Sequence, residues 1–356
     1  MRLLSLEVQN YRNICAARLE PGRELTVICG NNGQGKTNLL EAIWLLTGGK
    51  SFRGGKDAEL VRRGEAFAVL EADTQRDRPE GCEPAEPAHI RMTVGTPEAA
   101  KPGRYAAVNG AAPKRAAALA GSFPAVVFDP GHLSLVKGSP EGRRRFLDAA
   151  LCQLYPGYVT LLRRYSRLVT QKNALLKSYW QTPDANGLLD VFDEKLAESG
   201  AAVSAKRQEY LALIEPEITG TYRDIASGSE TLAIQYEPSF EPEKGLAPVL
   251  RESRARDIAA GFCTAGPHRE DFSISIDGRA AKVFASQGQQ RSAVLSLKLA
   301  EAAGAQKITG EHPVMLLDDV LSELDETRQS YLLSRMEHRQ TIVTACDPDL
   351  FRRTSG

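Results

Sequence analysis

The sequence predicts an α/β fold whose two halves are separated by an inserted helical lobe. Three observations carry that expectation. A short apolar run, Leu25 to Cys29, enters the glycine loop Gly30-Asn31-Asn32-Gly33-Gln34-Gly35-Lys36-Thr37, and helical spacing follows from Asn38 to Leu46. A second apolar run, Val314 to Leu317, is short enough for a buried strand and ends in Asp318-Asp319. Between them, Leu147, Leu151, Leu154, Tyr158, Leu161, Tyr165 and Leu168 step by four and three, the spacing of a helical seam.

The elements follow in chain order. Leu4, Leu6 and Val8 alternate and predict a half-buried first strand, with a second strand around Ala16 to Leu19. Ala66 to Ala72 and His89 to Val94 are strand-like, Asn109-Gly110 is a hairpin signal, and Asp73 to Pro87 is expected to be an exposed loop. Pro156 interrupts the helical seam. A turn at Pro183 to Gly187 precedes a second helical stretch through Leu189, Phe192, Leu196 and Val203. This makes a helical hairpin too short for a free-standing coiled coil. After Gly261 the α/β pattern returns, with a strand at Phe272 to Ile276 and a turn at Asp277-Gly278. Ser286 and Gln289 have capping-box spacing and open a helix through Leu295 and Leu299, and Thr341 to Thr344 is a further strand. The expected division is 1–128 and 261–356 for the two parts of the α/β lobe, with 129–260 inserted.

The bulk numbers narrow the classes. The chain has 356 residues, 42% hydrophobic and 25% charged, which suits a globular protein of two to three domains. Lys plus Arg and Asp plus Glu both number 45, so any nucleic-acid surface must be a local patch. Cys15, Cys29, Cys82, Cys152, Cys263 and Cys346 are scattered without metal-ligand spacing, which predicts free thiols in a reducing compartment. With no signal peptide ahead of the first strand and no run of 18 apolar residues, a cytoplasmic protein without membrane contact is expected.

The chemistry sits in two distant pieces. The glycine loop has the full G-x-x-x-x-G-K-T pattern, whose glycines let backbone N–H groups face phosphates at a helix N-terminus. Candidate ATP contacts are therefore Gly30, Asn31, Asn32, Gly33, Gln34, Gly35, Lys36, Thr37 and Asn38. Lys36 is expected on the β/γ-phosphates and the Thr37 hydroxyl on Mg²⁺. Asp318, at a strand end, would hold Mg²⁺, and Asp319 would position or deprotonate the attacking water. Asp319 is one methylene shorter than Glu, which predicts slow turnover. About 250 residues after Lys36, Ser286, Gly288 and Gln289 form a helix start able to bind a γ-phosphate.

These motifs, with Ser322-Glu323-Leu324-Asp325 after the aspartates, resemble the ABC-type ATPases, in the DNA-repair branch near the SMC proteins. Further strings resemble the RecF family of that branch: Asn10 to Asn13, Lys50 to Arg53, Val136 to Asp148 and Ala265 to Phe272. The resemblance covers essentially the whole chain. It implies a mixed-sheet ABC-type head in which the signature of one copy completes the ATP site of another. One chain would then form an ATP-dependent homodimer with two nucleotides, with Asn31 and Asn32 in the loop and Asp325 at the seam. It also implies a weak DNA-stimulated ATPase acting as an ATP switch. The partners implied are double-stranded, single-stranded and gapped DNA and the mediators RecR and RecO. The chain departs from many relatives by having Ala345-Cys346-Asp347 where transporter and SMC ATPases usually place a His. Thr344 and Asp347 are the candidates for the γ-phosphate sensor.

Three basic clusters, at Arg143 to Arg145, at Arg163, Arg164 and Arg167, and at Arg251, Arg254 and Arg256, lack the aromatic interleaving of RNA-binding modules. Each taken singly reads first as a solvated or ion-paired helix face, and Arg143 to Arg145 as a brace between lobes, so the DNA assignment rests on the family resemblance. His268 reads as a structural residue. The same motifs weigh against three other functions. A transporter subunit is opposed by the long gap between motifs, an SMC tether by chain length, and a small-molecule kinase by the signature and the second aspartate.

Overall fold

Strands that are apolar at every position need cover on both faces, and this requirement organises the molecule. The computed structural model describes residues 1–77, 83, 85–241 and 243–346. The first part of the chain forms β1 (Arg2–Tyr11), β2 (Ile14–Leu19), β3 (Leu25–Cys29), α1 (Lys36–Leu45), β4 (Phe67–Gln75), β5 (Ala88–Gly95), β6 (Gly103–Val108), β7 (Lys114–Arg115) and β8 (Ala125–Phe128). The middle part forms α2 (Ser134–Lys137), α3 (Pro140–Leu154), α4 (Pro156–Lys177), α5 (Ala185–Ile225), β9 (Leu232–Glu237), α6 (Leu246–Glu252) and α7 (Arg254–Ala260). The last part forms β10 (Asp271–Ile276), β11 (Arg279–Ala280), α8 (Ala281–Phe284), α9 (Gln287–Thr309), β12 (Val314–Asp318), α10 (Glu326–Ser334) and β13 (Thr341–Ala345).

Parallel and antiparallel strands are sorted into separate sheets. The order β3-β13-β12-β8 is parallel throughout, whereas β2-β1-β4-β5-β6-β7 and β11-β10-β9 are antiparallel. Successive residues of the parallel strands feed two different cores. Val314, Leu316, Val127 and Ile342 pack with α1 and the six-stranded sheet. Met315, Leu317, Val126 and Val343 pack with α3, α5 and α9. Where α5 crosses α9, Gly304 leaves room: a Cβ there would stand 2.6 Å from Ile214. No helix among the described residues is long and apolar enough to cross a membrane.

Several expectations shift. Leu3, not Leu4, shares the buried face with Leu6 and Val8, because the register of β1 against β4 slips between Leu3 and Ser5. Asp73, Thr74 and Gln75 complete β4 instead of opening a loop, and residues 78–82 and 84 of that expected loop lie outside the described residues. The turn at Pro183 to Gly187 contracts to Pro183 and Asp184. Asp184 takes φ 51° and caps α5 by accepting from the Gly187 amide at 3.3 Å, so Ala185 to Gly187 are already helical. The hairpin becomes three helices broken at Tyr155–Pro156, and α5 runs 41 residues through Pro216. Cys15, Cys29, Cys152, Cys263 and Cys346 are free thiols, and Cys82 lies outside the described residues.

The arginine triplet and the string Ala265 to Phe272 meet at the junction of the helical and α/β parts. The Arg143 guanidinium donates two 2.7 Å bonds to Asp271 and others to the carbonyls of Leu135 and Gly138. Arg207 makes the same kind of fork on Asp148 and adds a 2.7 Å bond to the Pro267 carbonyl. Glu270 accepts from Ser204, Tyr236 and Ser239. Removing one partner of such a buried pair costs about 3–5 kcal/mol, so these charges brace the junction. Arg145 pairs with Glu141 on the surface.

His268 belongs to this brace, as expected of a structural histidine. Its Nδ1 lies 2.6 Å from the Tyr165 hydroxyl and its Nε2 lies 3.0 Å from the Cys263 carbonyl, which fits a neutral ring protonated at Nε2. Burial lowers its pKa below the ordinary value; Arg269 and Arg144 act in the same direction, against the carbonyl. The unfolded chain, with His near 6.5, therefore binds the proton first as pH falls. The His268 contribution to stability is complete above about pH 6.5 and is lost as pH drops through the folded value. Thermal melts should show a lower Tm at pH 5.5 than at pH 7.5, and His268→Gln should flatten part of that slope. An unchanged slope in the variant would assign the acid sensitivity to other groups.

Candidate functional site

β3, β13 and β12 end side by side, with Cys29 opposite Ala345 and Asp318 opposite Thr344. Their carboxyl ends form the edge at which parallel α/β sheets take ligands. The glycine loop leaves β3 there and turns into α1. Gly33 and Gly35 have φ of 82° and 102°, and a Cβ on Gly35 would stand 2.9 Å from the Asn13 side-chain oxygen. Only glycine fits that combination of left-handed backbone and close approach.

The loop is fastened from the β1–β2 turn. Asn13 donates to the Gly33 carbonyl at 3.0 Å and accepts from Asn38 at 2.7 Å. Within the loop, the Asn31 amide donates to Gln34 Oε1 at 2.9 Å. The Lys36 ammonium rests on the carbonyls of Gly30 (2.6 Å) and Asn31 (3.1 Å), with the Cys346 sulfur 3.6 Å away. The Cys346 thiol donates to Asn32 Oδ1 at 2.9 Å. Asn31 to Gln34 are exposed, so their backbone faces open space where phosphates would lie.

The expected metal pair is assembled. Thr37 Oγ1 donates to Asp318 Oδ1 at 2.9 Å, and Thr344 Oγ1 donates to the same oxygen at 2.7 Å. Mg²⁺ prefers hard oxygen donors and is commonly held by one or two protein oxygens plus phosphates and water, so this hydroxyl–carboxylate pair fits it. Asp319 has φ 52°, and its amide donates to Thr344 Oγ1 at 3.0 Å. Its carboxylate has no hydrogen-bond or ionic partner among the described residues, which leaves it open to a water. Thr344 is thus buried and occupied in pinning the two aspartates, a different task from the expected phosphate sensor. Asp347, the other sensor candidate, lies outside the described residues.

A second set of residues flanks the loop. Arg12 forks onto Glu41 at 2.9 and 2.7 Å, Ser51 donates to the same carboxylate at 2.5 Å, and Arg53 donates to Asn38 at 2.6 Å. Burial alone would raise the Glu41 pKa, but Arg12 and Ser51 outweigh it and hold the carboxyl below its ordinary value. Of these residues only Asn38 has a role expected from the sequence. Their signal was the strings Asn10 to Asn13 and Lys50 to Arg53, which meet only in the fold.

The signature stands apart. Ser286 caps α9, accepting from the Gln289 amide at 3.2 Å, while Gln289 Oε1 accepts from the Ser286 amide at 2.8 Å. The capping box read from the sequence is therefore present. Gln289 also donates to Glu230 at 2.8 Å. Beneath the turn, Arg328 donates to Ser292 at 2.9 Å and pairs with Asp325, which caps α10. The Arg328 amide, then its guanidinium, hold the Asp325 carboxyl below its ordinary pKa against slight burial. No hydrogen bond or ion pair among the described residues joins Ser286, Gly288 or Gln289 to residues 30–38. Val283 and Phe284, just before the turn, are 68% and 66% exposed. The chain thus carries two half-sites, a phosphate loop with its metal pair and a separate capped helix start.

Comparisons with known proteins place the chain in a family. The family model described as RecF/RecN/SMC N terminal domain matches residues 2–355. The DNA replication and repair protein RecF of Heliobacterium modesticaldum is 38% identical over 350 residues, covering 96% of this chain and 91% of that one. The chain belongs to the RecF family. Its counterpart in Ruminiclostridium cellulolyticum is 35% identical over 367 residues, covering 99% and 94% of the two chains. Solved structures of the recombination mediator protein RecF in the RecFOR pathway are similar along nearly the whole chain. The form with ATPrS has a TM-score of 0.88 at 34% identity, covering 98% of this chain and 93% of that chain. The form with ATP has a TM-score of 0.87 at 35% identity, covering 97% and 92%. An Smc head domain from Pyrococcus furiosus, 15% identical with a TM-score of 0.52 and covering 99% and 91%, shares the fold. The family membership and the ABC-type head expected from the motifs are both borne out.

Proposed function

We propose that this chain is an ATP-dependent DNA-binding protein of recombinational repair and replication. It dimerises on ATP, binds single- and double-stranded DNA with preference for gaps and junctions, and helps load recombinase with RecR and RecO. The observation that carries this reading is the separation of the half-sites. Thr37 and Asp318 are in contact at one edge, whereas the Ser286 cap lies elsewhere with exposed Val283 and Phe284 beside it. Apolar side chains exposed next to a functional turn mark a contact surface. A two-fold pairing lets Ser286, Gly288 and Gln289 of one copy face the loop of the other.

In that arrangement Lys36 leaves its two carbonyls for the β/γ-phosphates, and the amides of residues 31–36 take the remaining phosphate oxygens. Thr37 and Asp318 would hold Mg²⁺, which supplies charge neutralisation between the phosphates. Asp319, held by Thr344 through its amide, orients a water for in-line attack and accepts its proton. Slow turnover suits a switch, in which binding closes the pair and hydrolysis reopens it. Work on chromosomal DNA implies a cytoplasmic location.

Relatives named for DNA replication and repair, and structures from the RecFOR pathway, support the DNA and mediator assignments. The test is binding to a gapped duplex and to a blunt duplex of equal length, with Mg²⁺ and either ATP or ADP. The expected result is tight binding with ATP only, several-fold tighter on the gap. Equal binding with ATP and ADP would refute the switch.

A further inference from the structure

The chain is electrically neutral, so a surface for a polyanion must come from sorting of charges rather than from an excess. Such sorting is present. No Asp or Glu occurs from Ala99 to Phe128, a stretch holding Lys101, Arg104, Lys114 and Arg115. None occurs from Ala149 to Pro183, which holds Arg163, Arg164, Arg167, Lys172 and Lys177. Three of these cations are committed elsewhere. Arg104 pairs with Asp57, Arg164 with Glu198, and buried Lys172 with Asp193 and Asp257. The other six are exposed and have no carboxylate partner among the described residues.

The two acid-free stretches touch. The Gly121 amide donates to the Gln153 carbonyl at 2.7 Å, the Ala125 amide to Gln153 Oε1 at 3.1 Å, and α4 packs on the short turn Ala116–Leu119 that follows β7. Lys50 extends the strip, because the carbonyl of its neighbour Gly49 accepts from Arg104 at 2.5 Å. Burial and then Asp148 push the Cys152 thiol up to about 12, while Arg163 and Lys50 pull it back. On α4, Arg163, Arg167, Thr170, Ala174 and Lys177 are exposed at helical spacing, a row about 21 Å long at 1.5 Å per residue. Tyr105 is no free stacking platform, since Lys101 and Arg115 lie 4.3 and 4.6 Å from its ring centre.

We propose that this acid-free strip, from Lys114 and Arg115 at β7 to Arg163, Arg167 and Lys177 on α4, is the track for the phosphate backbone of duplex DNA. The inference rests on the DNA-binding reading above and assigns its surface. Unpaired cations in a row suit contact with a duplex backbone, and Trp180, 87% exposed just past Lys177, offers one ring at the end of the row rather than the succession of platforms used for base stacking along a single strand. Contacts of this kind are independent of sequence and strongly salt-dependent.

The test uses the full chain with Mg²⁺ and ATP, a labelled blunt duplex, and anisotropy titrations over a range of salt. Lys114→Ala with Arg115→Ala, and Arg163→Ala with Arg167→Ala, should each weaken binding at least about tenfold and reduce the salt slope by about two. Arg164→Ala, which removes an arginine already paired with Glu198, should stay within about twofold of the original chain. Arg163→Lys with Arg167→Lys should restore most of the binding, which separates lost charge from damaged folding. Duplex binding and salt slope unchanged in both alanine pairs would overturn the track, as would a loss confined to single-stranded DNA. If the unmodified chain bound no duplex, the functional reading would fail and take this surface with it.

Discussion

Lys36→Arg should lower the ATP turnover rate by at least about 100-fold while leaving measurable ATP binding. The ammonium of Lys36 lies between the Gly30 and Asn31 carbonyls, in a loop closed by the Asn31–Gln34 and Asn32–Cys346 bonds. A guanidinium is wider and planar, and it cannot place one compact charge between the β- and γ-phosphates. Loss of one such preorganised contact to a transferring group is worth about 2.7–4 kcal/mol in the transition state. The amides of the loop and the α1 N-terminus remain, so binding weakens far less than turnover. Phosphate release and a fluorescent-ATP titration measure the two effects. A variant with unchanged turnover would remove Lys36 from the phosphate site.

Ser286→Arg should abolish the ATP-driven dimer while the monomer binds ATP within about threefold of normal, a difference below about 1 kcal/mol. The serine is an exposed cap, so the local penalty is the loss of a cap, about 1 kcal/mol, and Gln289 still holds the Ser286-position amide. The larger effect is steric. A long side chain fills the space in which a partner's phosphate would meet the helix start. Ser286→Ala serves as the control for the cap alone and should weaken the dimer much less. Sedimentation with ATP distinguishes the two. Dimers of normal stability in the arginine variant would mean that this turn does not face a partner's nucleotide.

Much of the α/β head is legible in the sequence because local pattern and burial coincide there. Val314 to Leu317 is apolar at every position, and the strand is buried on both faces as that pattern requires. The Ser286–Gln289 box and the turn at Asp277-Gly278 are local interactions, so spacing suffices to find them. Leu4 fails because a bulge is set by the partner strand, and the residues of β1 do not encode it. The extent of α5 through Pro216 depends on its packing against α9, which holds the helix where local propensity would end it.

The site divides in the same way. Lys36, Thr37 and Asp318 are contiguous with strong motifs, and Thr37 meets Asp318 as expected. Thr344 looked like a sensor candidate from its place at the end of a strand. Only tertiary contact reveals that its hydroxyl links Asp318 to Asp319. The arginine clusters show the limit most clearly. Arg143, Arg164 and Arg254 each look available in the sequence, yet each is bound to a carboxylate brought by a distant segment. What separates them from Arg163 and Arg167 is the absence of acidic neighbours in the fold.

The central claim is that the two half-sites close between copies. Sedimentation velocity of the chain with Mg²⁺ and ATP, and again with Mg²⁺ and ADP, tests it most directly. The account predicts a dimer with ATP that reverts to monomer with ADP. A monomer under both conditions, at concentrations where ATP is shown to be bound, would contradict it.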